Sequence, residues 1–161
     1  MILKLKEENE IKLNKPKDAP VNNNNQKYDF NYLSTVNPEL KKFLYYKHDL
    51  WLLDWRMEGC LIELNKAILK YRFNLGYWNM NYESYLVPCI NSREDYIDYV
   101  VNIIKKIDKV ENNIFQISLE KCDLNNLFCL DIGTGSSLIY PLIGSLKYDL
   151  NFYALDINIK S

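Results

Sequence analysis

Leu130-Asp131-Ile132-Gly133-Thr134-Gly135-Ser136-Ser137 decides how this chain is read. An apolar run ending in an acid, then Gly-x-Gly, then a helix start, describes a strand–turn–helix junction built to hold a nucleotide-like ligand. Glycines at 133 and 135 let the backbone turn sharply and approach a ligand without Cβ clashes. The helix that follows directs free N–H groups and its positive end at the same place. Residues 127–130 read as a buried strand, 137–146 as a helix, and 151–155 as a second strand ending at Asp156. An acid at a strand end can accept both ribose hydroxyl protons, so the pattern asks for an adenosine-containing ligand at the carboxyl ends of two adjacent strands.

The choice of ligand follows from what the loop lacks. A dinucleotide fingerprint needs a third glycine, and Leu138 holds that position. A phosphate loop needs Gly-Lys-Ser/Thr, which is absent. An Asp-x-Gly-x-Gly loop with a later strand-end acid looks like the S-adenosyl-L-methionine signature of Rossmann-like methyltransferases. A plain structural glycine turn with a solvated Asp156 is the bland alternative. A nicotinamide-dependent oxidoreductase is the weaker chemical one.

Working outward, residues 92–107 read as a helix opened by Ser92-Arg93-Glu94-Asp95, a capping box with Asp in place of Glu. Its expected buried stripe is Tyr96, Tyr99, Val100, Ile103, Ile104 and Ile107. Residues 108–126 read as a connector, with a short strand at 114–117. Further upstream, Met57, Cys60, Leu61, Leu64, Ala67, Ile68 and Tyr71 give one apolar helical face, with Asp54 as its cap and Gly76 as its stop. Residues 50–53 form a short apolar strand-like stretch. Asn37-Pro38-Glu39 reads as a helix opening that runs through Phe43, Leu44 and Tyr46. Residues 1–27 alternate charges, end in an asparagine run, and read as a disordered, mildly basic arm. Lys12, Lys15, Lys17 and Lys27 there fit either a solvated tail or a basic contact surface.

Composition bounds the rest. Hydrophobic content of 48% and aromatic content of 14% fit a folded chain, and a formal net charge of −1 argues neither for nor against nucleic acid. Cys60, Cys89, Cys122 and Cys129 show no Cys-x-x-Cys spacing, which makes a disulfide frame or zinc site unexpected. With His48 as the only histidine, a His-based metal site or triad is not expected either. No apolar run approaches the ~20 residues of a membrane helix, and no secretory signal is visible. The expected location is nucleus or cytoplasm, with neither secretion nor a membrane anchor.

Three further stretches carry a resemblance. Val87-Pro88-Cys89-Ile90-Asn91-Ser92-Arg93-Glu94-Asp95-Tyr96-Ile97 resembles a Pro-x-Ile-x-x-Arg-x-Asp/Asn-Tyr-Ile segment. The glycine loop runs on through Ser137-Leu138-Ile139-Tyr140-Pro141-Leu142, similar to a loop continuing into Ile-Tyr-Pro-Leu. Asp29-Phe30-Asn31-Tyr32-Leu33 followed by Asn37-Pro38 resembles an entry segment of the same group. The group is the methyltransferase-like protein 16 and bacterial 23S rRNA adenine-N(6) methyltransferase family. The resemblance covers residues 28–158.

That resemblance implies methyl transfer from S-adenosyl-L-methionine to the exocyclic amine of an adenosine in structured RNA, either a U6 snRNA-like hairpin or rRNA. By it, Gly133, Gly135 and Ser137 lie against the cofactor, Asp156 holds its ribose, and Asp131 supports the loop. Arg93 pairs with the methionine carboxylate, where a guanidinium makes a bidentate contact. The family binds its flipped-out target base with Asn-Pro-Pro-Phe. This sequence contains no Asn-Pro-Pro, so no catalytic residue is assigned in it.

The expected organisation is an arm (1–27), a helical N-terminal module (28–110), a connector (111–126), and the first β-α-β portion of an α/β, Rossmann-like methyltransferase domain (127–161). The chain reads as an N-terminal fragment: a truncated gene model, a split gene or a degenerate copy. A non-catalytic binding module is the alternative function.

Overall fold

The computed structural model describes residues 28–114, 124 and 127–157, with side chains of the long central helix described as far as Lys106. The arm at 1–27 with its lysines, the short strand expected beyond Ile114, and most of the connector lie outside the described residues. The described residues fall into two compact units divided between Val87 and Pro88.

In the first unit Asp29 caps α1 (Phe30–Val36), its Oδ1 accepting the Tyr32 N–H at 2.9 Å. Asn37 was expected to cap the next helix, but its side chain makes no cap bond. Its Nδ2 donates instead to the Glu63 carbonyl (2.9 Å) and the Glu63 carboxylate (2.8 Å), tying the end of α1 to a later helix. The segment after it is a 3-10 helix, Pro38–Phe43, and ends sooner than expected. Tyr46 therefore lies in a strand, β1 (Leu44–Lys47), paired antiparallel with β2 (Leu50–Leu53). The module expected to be helical thus contains a hairpin.

Asp54 does not cap the following helix. Its carboxylate is taken by Arg56, which donates from Nε at 2.8 Å and Nη2 at 2.9 Å, and these bonds hold the acid below its ordinary pKa. Helix α2 (Cys60–Phe73) starts after Gly59, whose φ of 83° suits glycine. It stops at Asn74 (φ 54°), two residues before Gly76. Met57 and Leu61, expected on its buried face, are exposed, while Ile62, Leu69 and Phe73 are buried. The core of this unit is Leu33, Leu40, Leu53, Cys60, Ile68 and Leu69, and full burial of a side chain such as these leucines contributes about 1.5–3 kcal/mol.

The second unit begins with α3 (Ile90–Ile114). The expected helical module ran to residue 110, but α3 groups with the glycine loop because it packs on α4 (Ile139–Tyr148). Ser92 lies inside α3, its Oγ donating to the Cys89 carbonyl at 3.1 Å, so the helix opens before the expected capping box. The buried stripe is Ile90, Glu94, Ile97 and Val101, spaced i, i+4, i+7, i+11. Tyr96 and Tyr99, expected in the core, are 54% and 64% exposed. The cause is Glu94, a carboxylate only 3% exposed. Lys147 of α4 donates to it at 2.6 Å and to Asp98 at 2.8 Å, and the Tyr148 hydroxyl donates to Asp98 at 2.9 Å. A charged residue takes the core position that periodicity gives to an apolar one.

Strands β3 (Phe128–Ile132) and β4 (Asn151–Leu155) pair in parallel through the α4 crossover, with Asp131 opposite Ala154 and Ile132 opposite Leu155. Residues 127–130 were expected to form a buried strand. One face of β3 is open instead, with Phe128, Leu130 and Ile132 58–77% exposed. Helix α4 packs against β4 on the other side. At Gly144 the Phe152 ring comes so close that an added Cβ would stand 2.5 Å from it.

Candidate functional site

The parallel pairing of β3 and β4 brings the two chain segments of the motif to one sheet edge. Gly133 leaves β3 with φ 78°, and its N–H donates to the Leu155 carbonyl at 2.8 Å. The Thr134 N–H donates to the same carbonyl at 3.1 Å. Gly135 follows with φ 63°, and its N–H donates to Asp156 Oδ2 at 2.7 Å. The glycine turn is thereby fastened to the end of the neighbouring strand, with the Asp156 carboxylate against it. A charge-assisted bond of this length is among the stronger kinds a loop can make.

An added Cβ at Gly133 would meet no atom within 4 Å. Its glycine is needed for the backbone angle, and the space beside it is open. Leu138 also has a positive φ, 50°, immediately before α4. Leucine bears that conformation at a cost of about 1–2 kcal/mol.

Four buried polar atoms of this unit have no partner among the described residues: Asp131 Oδ2, Thr134 Oγ1, Ser136 Oγ and Asn91 Oδ1. Three of them sit in or beside the glycine turn. Each such atom costs about 1–3 kcal/mol until something supplies the missing bond, so the turn is polar, inward-facing and ready for a hydroxyl- and amine-bearing ligand. Ser137 is buried in the same loop. Arg93 meets the helix that follows the turn. Its guanidinium carbon lies 5.6 Å from the centroid of the Tyr140 ring, in the first turn of α4, and Tyr96 meets the same ring edge-on at 5.4 Å.

The structure therefore brings Asp131, Gly133, Gly135, Ser137 and Asp156 together and holds Arg93 against the helix that follows. The sequence reading missed Thr134 and Ser136, whose unbonded hydroxyls have no signature in the motif. It also missed Tyr140, although that residue lies within the resembling segment. Among the described residues no group of His, Cys, Asp and Glu could hold a metal ion, and no helix is long and apolar enough to cross a membrane.

Parallel strands, a glycine turn and a strand-end acid define the opening of an α/β domain of the Rossmann-like methyltransferase class. The chain belongs to an RNA methyltransferase family, whose model matches residues 13–161. It is 35% identical over 139 residues to the ribosomal RNA large subunit methyltransferase F of Flavobacterium johnsoniae, covering 86% of this chain and 41% of that protein. The protein of the same name in Bacteroides fragilis is 33% identical over 138 residues, covering 85% and 44%. This chain thus spans less than half the length of these relatives. Among solved structures, the N-terminal domain of human METTL16 in complex with SAH aligns with a TM-score of 0.63 at 23% identity, covering 89% of this chain and 51% of that one. The hMettl16 catalytic domain in complex with MAT2A 3'UTR hairpin 6 aligns with a TM-score of 0.64 at 24% identity, covering 89% and 45%. These likenesses fix the fold as an α/β methyltransferase domain, of which this chain holds a part.

Proposed function

We propose that these residues form the cofactor-binding part of an S-adenosylmethionine-dependent RNA adenine-N(6) methyltransferase. The observation that carries the reading is the 2.7 Å bond between Asp156 and the Gly135 N–H, which holds a strand-end carboxylate at the mouth of the glycine turn. In this reading Asp156 turns from that amide to accept the two ribose hydroxyls. Thr134 and Ser136 complete their hydrogen bonding on the ligand, and Asp131 steadies the turn beneath it. Arg93 leaves the Tyr140 ring to pair with the methionine carboxylate. The cofactor supplies an electrophilic methyl on sulfonium, so the chain's work is placement, and orientation alone can account for several kcal/mol of a barrier. The SAH-bound human domain supports the ligand class.

The substrate follows the names of the relatives. The similar bacterial proteins are ribosomal RNA methyltransferases, and the similar human domain has been solved with an RNA hairpin. Both leave structured RNA as the substrate class. A non-catalytic binding module is the second reading.

Calorimetry with S-adenosylhomocysteine tests the site. Asp156→Ala lowers the affinity by roughly 10- to 100-fold, the loss expected when hydrogen bonds to a charged group are removed. Unchanged affinity removes Asp156 from the site. The coding sequence downstream of Ser161 separates the two readings: Asn-Pro-Pro followed by an aromatic supports the enzyme, and its absence supports the binding module. Methylated RNA digested to nucleosides reads the position, and any product other than N6-methyladenosine overturns the adenine-N(6) assignment.

A further inference from the structure

Helix α4 is tied to α3 near both of its ends, by different chemistry. At its C-terminal end Lys147 donates to Glu94 and Asp98, which fixes the two helices against each other. At its N-terminal end Tyr140, in the first turn, meets two residues of α3. The Arg93 guanidinium carbon lies 5.6 Å from the centroid of the ring, and the Tyr96 ring approaches it edge-on at 5.4 Å. Positions three apart share a helix face, so a single turn of α3 grips the tyrosine and keeps it beside Arg93.

What Arg93 lacks is as informative as what it touches. Among the described residues its part-buried guanidinium has no carboxylate partner and donates no side-chain hydrogen bond. Arg56 shows the contrast, since it donates from two nitrogens to Asp54. The acids of α3 that face α4 are already engaged, Glu94 by Lys147 and Asp98 by both Lys147 and the Tyr148 hydroxyl. Asp95 is exposed and, two positions on, lies on another side of the helix. Magnitudes then decide what the ring can do. A ring shifts the equilibrium of a solvated cation by roughly 2- to 5-fold, whereas each charge-assisted hydrogen bond to a carboxylate is worth roughly 10-fold or more. An incoming carboxylate therefore displaces the ring, as it could not displace an acid already paired with the arginine.

We propose that Tyr140 is a positioning residue, a dock that holds Arg93 in the empty site and yields it to the carboxylate at the amino-acid end of the cofactor. The proposal rests on the reading of Arg93 given above and adds the residue that governs it. The stack exists only before binding, so it opposes a carboxylate-bearing ligand by its own worth. A ligand without the carboxylate leaves the stack intact and is not opposed. The site consequently holds S-adenosylhomocysteine, the demethylated product, less tightly than Arg93 alone would, and Arg93 returns to the ring as the product departs.

The probes are S-adenosylhomocysteine and methylthioadenosine, which keeps the adenosine thioether and lacks the amino acid, each titrated calorimetrically into the whole chain. Tyr140→Leu raises the affinity for S-adenosylhomocysteine by roughly 2- to 5-fold and leaves that for methylthioadenosine unchanged. Tyr140→Phe keeps the ring and matches the wild type on both. With Arg93→Met in place, Tyr140→Leu changes neither affinity. In the wild type, the Arg93 Nε–H resonance leaves the field of the ring when S-adenosylhomocysteine is added and stays in it with methylthioadenosine, a readout that requires no variant to fold. An unchanged or lowered affinity for S-adenosylhomocysteine in folded Tyr140→Leu overturns the dock, as does an equal change with both ligands or an unmoved Arg93 resonance at saturation. A wild type that binds both ligands equally removes Arg93 from the carboxylate and defeats that earlier reading as well, and one that binds neither defeats the cofactor site. A preference for S-adenosylhomocysteine that is indifferent to Tyr140 defeats the dock alone.

Discussion

The two sheets among the described residues are each two strands wide and each depends on left-handed residues, yet the strain serves different ends. In the hairpin, His48 and Asp49 bear positive φ only to reverse the chain within two residues. At the end of β3, Gly133, Gly135 and Leu138 bear it, and three backbone N–H groups converge on Leu155 and Asp156 of the neighbouring strand. The unbonded polar atoms divide the same way. Among the described residues, the unit of 28–87 has one, Tyr85 Oη, and the unit of 88–157 has four, three of them at the glycine turn. One unit has satisfied all but one of its buried polar groups and left aromatic rings outside. The other has left polar groups open inside, at a cost in local stability.

The largest expected effect comes from breaking the clamp between α3 and the C-terminal end of α4. Lys147→Met removes the ammonium that pairs with the buried Glu94 carboxylate and lowers unfolding free energy by about 3 kcal/mol, read by urea denaturation. A smaller change would make the clamp a surface ion pair with no bearing on the turn. Gly144→Ala is next. Its Cβ would meet the Phe152 ring, and the overpacking outweighs the gain in helix propensity, for a net loss of about 1–2 kcal/mol. On the hairpin side the sign reverses, because Asp49→Gly relieves a left-handed residue and stabilises by about 1 kcal/mol. A destabilised Asp49→Gly protein would show that the aspartate's contacts outweigh its strain.

The smallest effect is alkaline. Burial pulls the Lys147 ammonium down, but the bonds to Asp98 and Glu94 outweigh it, and the net pKa lies above the ordinary 10.5. Burial, with the bond to Asp98, likewise raises the Tyr148 phenol above 10.0. In both cases the folded chain holds its proton longer than the unfolded one. Their contribution is therefore complete below about pH 10 and is lost as pH rises through the raised folded values. The melting temperature of the wild type should fall more steeply above pH 10 than that of Lys147→Met.

Much of this was legible because it is local. Asn151–Leu155 is found as a strand closed by its acid, as expected, and Asp131, Gly133, Gly135 and Asp156 meet because parallel pairing brings their strand ends together. What was not legible depends on distant partners. The phase of α3 turns on Glu94 finding Lys147, a residue 53 positions away, so periodicity put Tyr96 and Tyr99 on the wrong side. Asn37 has the composition of a cap but spends its amide on Glu63. An apolar run such as β3 cannot by itself say whether one face or both are covered, and here one is not. Arg93 was singled out by resemblance alone, and its stacking on Tyr140 is visible only in three dimensions.

The most direct measurement of the central claim is a titration of the 15N-labelled chain with S-adenosylhomocysteine, followed through the backbone amides. The account predicts that Gly133, Gly135 and Asp156 shift first and most, with the Gly135 amide losing the signature of its bond to a carboxylate as Asp156 turns toward the ligand. Saturation that leaves those three amides unmoved, or that maps its shifts to residues 28–87, would contradict it.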